Sequence, residues 1–276
     1  MRNHAGTGLM VVLLAFWALA GATAQEKQEP QEPQPFGQQT QGPGDERADL
    51  QKIMQAGSPR QRLALIEKFL EQYPDSQYLG LAYSAAAQAY RRQNKFAQAV
   101  KYGEMALELS PNDVFSLILV ADSLAESALP TQDDFQEKLT RAEDFARRAL
   151  EVMPDLFANM PRRPEVPEEE YEKEMKMLEA QPHATLGFIH LRRNQFGEAE
   201  TELQQAIELT QPSPNAHDYE RLGIVEMRQK KYKDAGAAFQ RCIEIDTSAA
   251  TSCRKRLERI ERILKVTGGQ ESQPQE

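Results

Sequence analysis

One pattern returns along this chain and limits what it can fold into. It reads Tyr83-x2-Ala86-Ala87-x2-Tyr90, then Phe96-x2-Ala99-x6-Ala106 and Pro111. It comes back as Leu186-Gly187-x2-His190, Phe196-x2-Ala199-x3-Leu203-x2-Ala206, with Pro212 behind it. It comes back again as Tyr219-x2-Leu222-Gly223-x2-Glu226, Tyr232-x2-Ala235-x3-Phe239-x2-Cys242. Apolar residues three and four apart make amphipathic helices, so each copy predicts a helix pair. Small residues recur where two helices must approach closely: Ala87 opposite Ala99 and Ala106, Gly187 opposite Ala199 and Ala206, Gly223 opposite Ala235. A large side chain there would push the pair apart.

These residues resemble the tetratricopeptide (TPR) family, whose signature is a helix–turn–helix with W-x2-L-G-x2-Y, A-x3-F and a closing proline. The resemblance covers roughly residues 47–266, most clearly 80–113 and 180–247. It implies an all-α, right-handed solenoid of about five helix pairs. A degenerate repeat over 114–155 keeps Leu117, Val120, Ala121 and Leu124, then Ala142, Ala146, Ala149 and Pro154 as its closing proline. A divergent pair precedes the first clear repeat, with a short helix from Asp49 and a second opened by Pro59. A C-terminal helix over 249–265 caps the array. Its Leu257, Ile260 and Leu264 cover the last repeat, and Arg254, Lys255, Arg256, Glu258 and Arg259 face solvent.

The spacing also shows irregularity. Ala199 and Ala235 stand 36 residues apart, near the family period of about 34. Ala142 and Ala199 stand 57 apart, so an insertion over 155–180 is expected. It contains a Pro-rich start, then a helix from about Glu168 to Ala180 that Pro182 separates from the next repeat helix.

The ends differ from the middle. Arg2, an apolar run from Leu9 to Ala20, and Ala22-Thr23-Ala24 form a secretory signal, with cleavage expected at about Ala24/Gln25. The run is shorter than the roughly 20 residues that span a bilayer. Residues 25–46 are rich in Gln, Pro and Glu and are expected to be a disordered linker; 267–276 read the same way. The expected location is periplasmic or secreted in a bacterium, with no membrane attachment after cleavage. The formal net charge of −9 argues against nucleic-acid binding, which needs cations facing phosphates. Two cysteines, Cys242 on the second helix of the last repeat and Cys253 early in the following helix, could be brought together by antiparallel neighbours, and both a bridge and two buried thiols are open readings.

No residue pattern points to catalysis or to a cofactor. There is no phosphate loop, nucleophile elbow or His-Glu-x-x-His sequence. His183 and His190 stand where Tyr83 and Tyr90 stand in another copy, so packing is the expected role; seven apart on one helix, they are a weak metal pattern. Glu168-Glu169-Glu170 suits a solvated first helical turn. Arg91-Arg92, Arg192-Arg193 and Arg228 with Lys230-Lys231 end successive first helices. Two readings are open for them: charge complementarity with the helix C-termini, or a basic ridge for an acidic partner.

What the resemblance implies for function is protein binding in the concave groove formed by the first helices. By register the groove is lined by Leu81, Ser84, Gln88 and Arg91, then Phe115, Ile118 and Asp122, then Ala184, Phe188 and Leu191, then Glu220, Ile224 and Met227. Family members that grip a C-terminal carboxylate use Lys and Asn at inner positions. Ser84, Gln88, Ile118 and Asp122 stand there instead, which argues for an apolar segment or a helix as the partner. Whether the 155–180 insertion covers Phe115, Ile118 and Phe188 is open. The repeat-packing set is Ala87, Tyr90, Ala99, Ala106, Pro111, Ala142, Ala149, Pro154, Gly187, Ala199, Ala206, Gly223, Ala235 and Cys242. The expected function is an adaptor of the cell envelope. Alternatives are a chaperone-like holder of exported clients and a homo-oligomer packed through solenoid ends, which the charged face of the last helix disfavours.

Overall fold

The computed structural model describes residues 45–160, 164–245 and 247–266. The expected signal segment, most of the linker, residues 161–163 and the tail from 267 lie outside the described residues. Within them the chain forms eleven helices and no strand. They are α1 Glu46–Gln55, α2 Pro59–Gln72, α3 Leu79–Arg91, α4 Phe96–Leu109, α5 Val114–Ser127, α6 Phe135–Asn159, α7 Glu168–Arg192, α8 Phe196–Leu209, α9 Ala216–Arg228, α10 Tyr232–Ile245 and α11 Thr247–Val266. Successive helices pack as hairpins, and the odd-numbered ones from α1 to α11 also meet one another. The architecture is an all-α solenoid of five helix pairs closed by α11.

Local chemistry sets the helix ends. Asp45 caps α1 by accepting from the Arg47 and Ala48 amides, so the last residues of the expected linker belong to the first helix. Ser58 caps α2, with Pro59 just inside it. Asp113 and Asn215 cap α5 and α9. The turns inside three hairpins share one geometry. Asn94, Asn194 and Lys230 have φ of 57°, 60° and 64°. The amides one residue further on bond back to the carbonyls of Tyr90, His190 and Glu226. This left-handed ending lets the next helix start within a few residues.

The hairpins close on small residues. A Cβ on Gly187 would lie 2.6 Å from Leu203, and one on Gly223 would lie 2.7 Å from Phe239. The large residue of the second helix fits onto the glycine of the first. Gly103, which the pattern had left out, is equally tight: its Cβ would lie 2.4 Å from Val120 of the next repeat. Ala87, Ala99, Ala142, Ala149, Ala199, Ala206 and Ala235 are buried, as are Ala106 and Cys242. Pro111 is exposed just beyond α4.

Two expectations about prolines are corrected. Pro154 does not close a repeat but lies inside α6, and Pro182 does not separate two helices but lies inside α7. An interior proline costs a helix about 3 kcal/mol. Apolar contacts flanking each proline offset this. Leu156 and Phe157 follow Pro154 and pack on the central core, and Met175 and Leu178 precede Pro182 and are buried. The insertion is therefore spent on prolonging α6 and α7. Tyr171 ties the two by donating to the Met160 carbonyl at 2.9 Å.

Cys242 and Cys253 form a disulfide with a Cα–Cα distance of 6.3 Å. It joins α10 to α11, beside Phe239 and Ile260 in the last core cluster.

Candidate functional site

The first helices of the hairpins form a continuous inner face because side chains bond from one repeat to the next. Ser116 donates to Ser84 at 3.2 Å, and Arg91 pairs with Asp122 at 2.5 Å. Ser252 donates to Glu220 at 2.5 Å, and Arg256 reaches the same carboxylate at 3.4 Å. These contacts join α3 to α5 and α9 to α11. Arg91 and Asp122 are thus partly consumed by each other. Ser84 and Ile118 are buried, so they hold the wall together rather than face the groove.

The middle of the face is closed by an ion pair that skips a repeat. Arg221 of α9 pairs with Glu126 of α5 at 2.9 Å, across α7. Beneath that bridge its guanidinium lies 4.3 Å from the Phe188 ring centre, and Arg192 covers the same ring at 5.2 Å. Both are favourable cation–π contacts. Arg192 also stacks on Phe135 and donates to the Ala128 carbonyl. Burial holds its pKa below the ordinary arginine value. Phe188 is therefore covered by two arginines, and the elongated α7 supplies it instead of folding over it.

The bridge divides the predicted groove residues into two groups. On one side are Leu81, which is 51% exposed, with half-buried Gln88, Arg91, Phe115 and Asp122. On the other are half-buried Glu220, Ile224 and Met227. Ala184 and Leu191 are half-buried on α7 between the two. Sequence reasoning missed Glu126 and Arg221, although Glu126 lies one helical turn beyond Asp122. It also placed Arg254, Lys255, Arg256 and Arg259 of α11 on an outer face. Lys255, Arg256 and Arg259 instead line a recess of about 280 Å³ with Met227 and Ser252.

The cations at the helix ends do not form a free ridge. Arg193 pairs with Glu143 and donates to Thr140 at 2.9 Å, and Lys231 pairs with Glu200 at 2.7 Å. Each pins a first helix to the second helix of the repeat before it. Arg92, Arg228 and Lys230 remain exposed. The histidines are bound within their own repeats: His183 Nδ1 lies 2.6 Å from Glu202, and buried His190 lies 3.0 Å from the Gln195 side chain. Among the described residues no group of three or more His, Cys, Asp or Glu could hold a metal ion.

Helix α9 buries two carboxyl groups. Asp218 and Glu226 are 4% and 6% exposed, and each has one oxygen without a hydrogen bond. Burial raises the pKa of Asp218, against the pull of Arg221. Burial, reinforced by the charges of Asp234 and Glu200, pushes Glu226 up to about 8. Glu226 occupies the position of Tyr90 and His190, facing the hairpin interior, so it has no substrate-facing surface.

Family models described as tetratricopeptide repeat match residues 80–113 and 185–250. No curated protein matches the sequence. Among solved structures, the chain is similar to a thermophilic TPR protein of Thermus thermophilus, at 16% identity and a TM-score of 0.53, covering 78% of this chain and 98% of that one. It is also similar to PilW, a type IV pilus biogenesis factor, at 17% identity and 0.53, covering 80% and 92%. A third is MamA of Desulfovibrio magneticus, at 16% and 0.50, covering 75% and 98%. At these identities the likeness concerns the fold alone.

Proposed function

We propose that this chain, which is a tetratricopeptide-repeat protein, is an adaptor of the bacterial cell envelope that holds a protein segment on its concave face. An array of this kind offers an extended surface rather than a reaction centre, and its general use is as a protein–protein interaction scaffold. The observation that carries the groove reading is the pair of open stretches on either side of the Glu126–Arg221 bridge. Apolar side chains there, Leu81 and Phe115 on one side and Ile224 and Met227 on the other, are incompletely covered. A partner that touches both stretches must pass over the bridge or displace it, which favours an extended segment over a broad globular surface.

Export rests on Arg2, the apolar run from Leu9 to Ala20 and Ala22-Thr23-Ala24. The Cys242–Cys253 bridge supports the same reading, because disulfides persist in oxidising compartments.

The test is affinity capture from the source organism's own envelope extract, with the mature chain as bait. The control bait carries Leu81→Glu and Ile224→Glu and is checked for native helicity. An adaptor retains one partner in stoichiometric amount, and the control loses it. Many weakly held proteins would favour a chaperone-like holder. Equal recovery on both baits would remove the concave face from the reading.

A further inference from the structure

The inner-face contacts follow a rule, and Lys255 and Arg259 at the C-terminal end stand outside it. Arg91 meets Asp122, Ser84 meets Ser116 and Glu220 meets Ser252, each about one repeat further on. Arg221 is matched instead by Glu126, on an earlier first helix across α7. α11 takes part in this pattern through Ser252 and Arg256, which both meet Glu220. That helix carries six cations, Arg254, Lys255, Arg256, Arg259, Arg262 and Lys265, against Glu258 and Glu261, on a chain of formal net charge −9. Glu220 is already engaged by Ser252, by Arg256 and by His217 at 3.6 Å. Among the described residues no carboxylate pairs with Lys255 or Arg259, and both are exposed in the recess beside Met227.

We infer that the recess between α9 and α11 is the anchoring subsite for an acidic peptide segment of the protein partner that also carries an apolar side chain. Carboxylates of the segment bind Lys255 and Arg259, and an apolar side chain of the same segment packs on Met227. This rests on the groove reading above and names the partner's chemistry. Charge complementarity sets the sign of the ligand. Met227 supplies a soft contact that adapts to the apolar side chain. A peptide fits better than an anionic membrane. The cations line a recess between two helices, and the apolar side of α11, with Cys253 and Ile260, is buried against α10 and cannot enter a bilayer.

The probe is a fluorescein-labelled peptide of four Glu-Glu-Leu units, followed by anisotropy. The intact mature chain binds it, and binding weakens as salt rises, since Debye screening acts on exposed charges. The variant Lys255→Glu with Arg259→Glu binds at least about tenfold more weakly, equivalent to about 1.4 kcal/mol. A variant of the same net charge, Arg92→Glu with Arg228→Glu, binds like the parent. A benzophenone-tagged version of the peptide crosslinks to α9 and α11, a readout that needs no substitution. Absence of binding, equal weakening by both variants, or crosslinks elsewhere would each overturn the inference. So would recruitment to phosphatidylglycerol vesicles through Lys255 and Arg259 without peptide binding. If the peptide fails while the envelope partner is still captured and lost with Leu81→Glu and Ile224→Glu, this subsite falls and the adaptor reading stands.

Discussion

At Gly223 the first and second helices of the last repeat approach so closely that a methyl group would enter the Phe239 ring. Alanine gains about 0.5–1 kcal/mol of helix propensity over glycine, and overpacking costs about 1–3. Gly223→Ala is therefore expected to lower stability by about 1–2 kcal/mol. Gly236, on α10, meets only ordinary contacts, with Ile260 at 3.6 Å and Leu257 at 3.8 Å. The same change there is expected to raise stability. Thermal melts of the two variants check the opposite signs, and a shared sign would refute the packing account. A second residue-scale prediction concerns Glu226. Its folded carboxyl keeps its proton up to about pH 8, whereas the unfolded one releases it near 4.5. Folding takes up that proton between these values, so the contribution is full below about 4.5 and is lost as pH rises through 8. Glu226→Gln removes this slope. Melts should show the variant gaining on the parent by on the order of 1–3 kcal/mol between pH 5 and pH 8.5. Parallel pH profiles would show that Glu226 ionises freely in the fold.

Among the elements, α11 depends most on a covalent tie. The Cys242–Cys253 bridge fixes it to α10, beside the apolar contacts of Leu257 and Ile260. Replacing both cysteines by alanine is expected to cost about 2–3 kcal/mol. Hydrogen exchange should quicken in α11 and leave α3 and α5 unchanged, because contacts in a repeat array reach only neighbouring elements. Uniform acceleration along the chain would argue for a single cooperative unit. The long helices α6 and α7 show a different element-scale effect. Apolar contacts of Leu156 and Phe157 after Pro154, and of Met175 and Leu178 before Pro182, carry each helix through a residue that ends helices in isolation.

For the whole molecule, α11 is both a lid on the last core and a wall of the recess beside Met227. Ending the chain at Ile245 would uncover Ala235, Phe239 and Cys242, and would remove the recess with Met227. The truncated protein is expected to self-associate, since an array lacking its cap presents an apolar end. Light scattering checks this; a monomer at the same concentration would show that α11 is dispensable as a cap.

The repeating small and aromatic residues determined the helix pairs, their number and the capping helix, because close helix approach leaves its mark as alanine and glycine at fixed spacing. The caps and the left-handed turns at Asn94 and Asn194 were equally local. The candidate site was legible only as a register: Leu81, Ile224 and Met227 could be placed on a face, but nothing told which of them stay open. Tertiary structure decided that Ile118 is buried, that Phe188 lies under Arg192 and Arg221, and that Glu126 reaches across a whole repeat. It also turned Lys255 and Arg259 from an outer surface toward Met227. These outcomes depend on the curvature with which hairpins stack, a sum of small rotations at every interface. No single repeat carries that sum in its own residues.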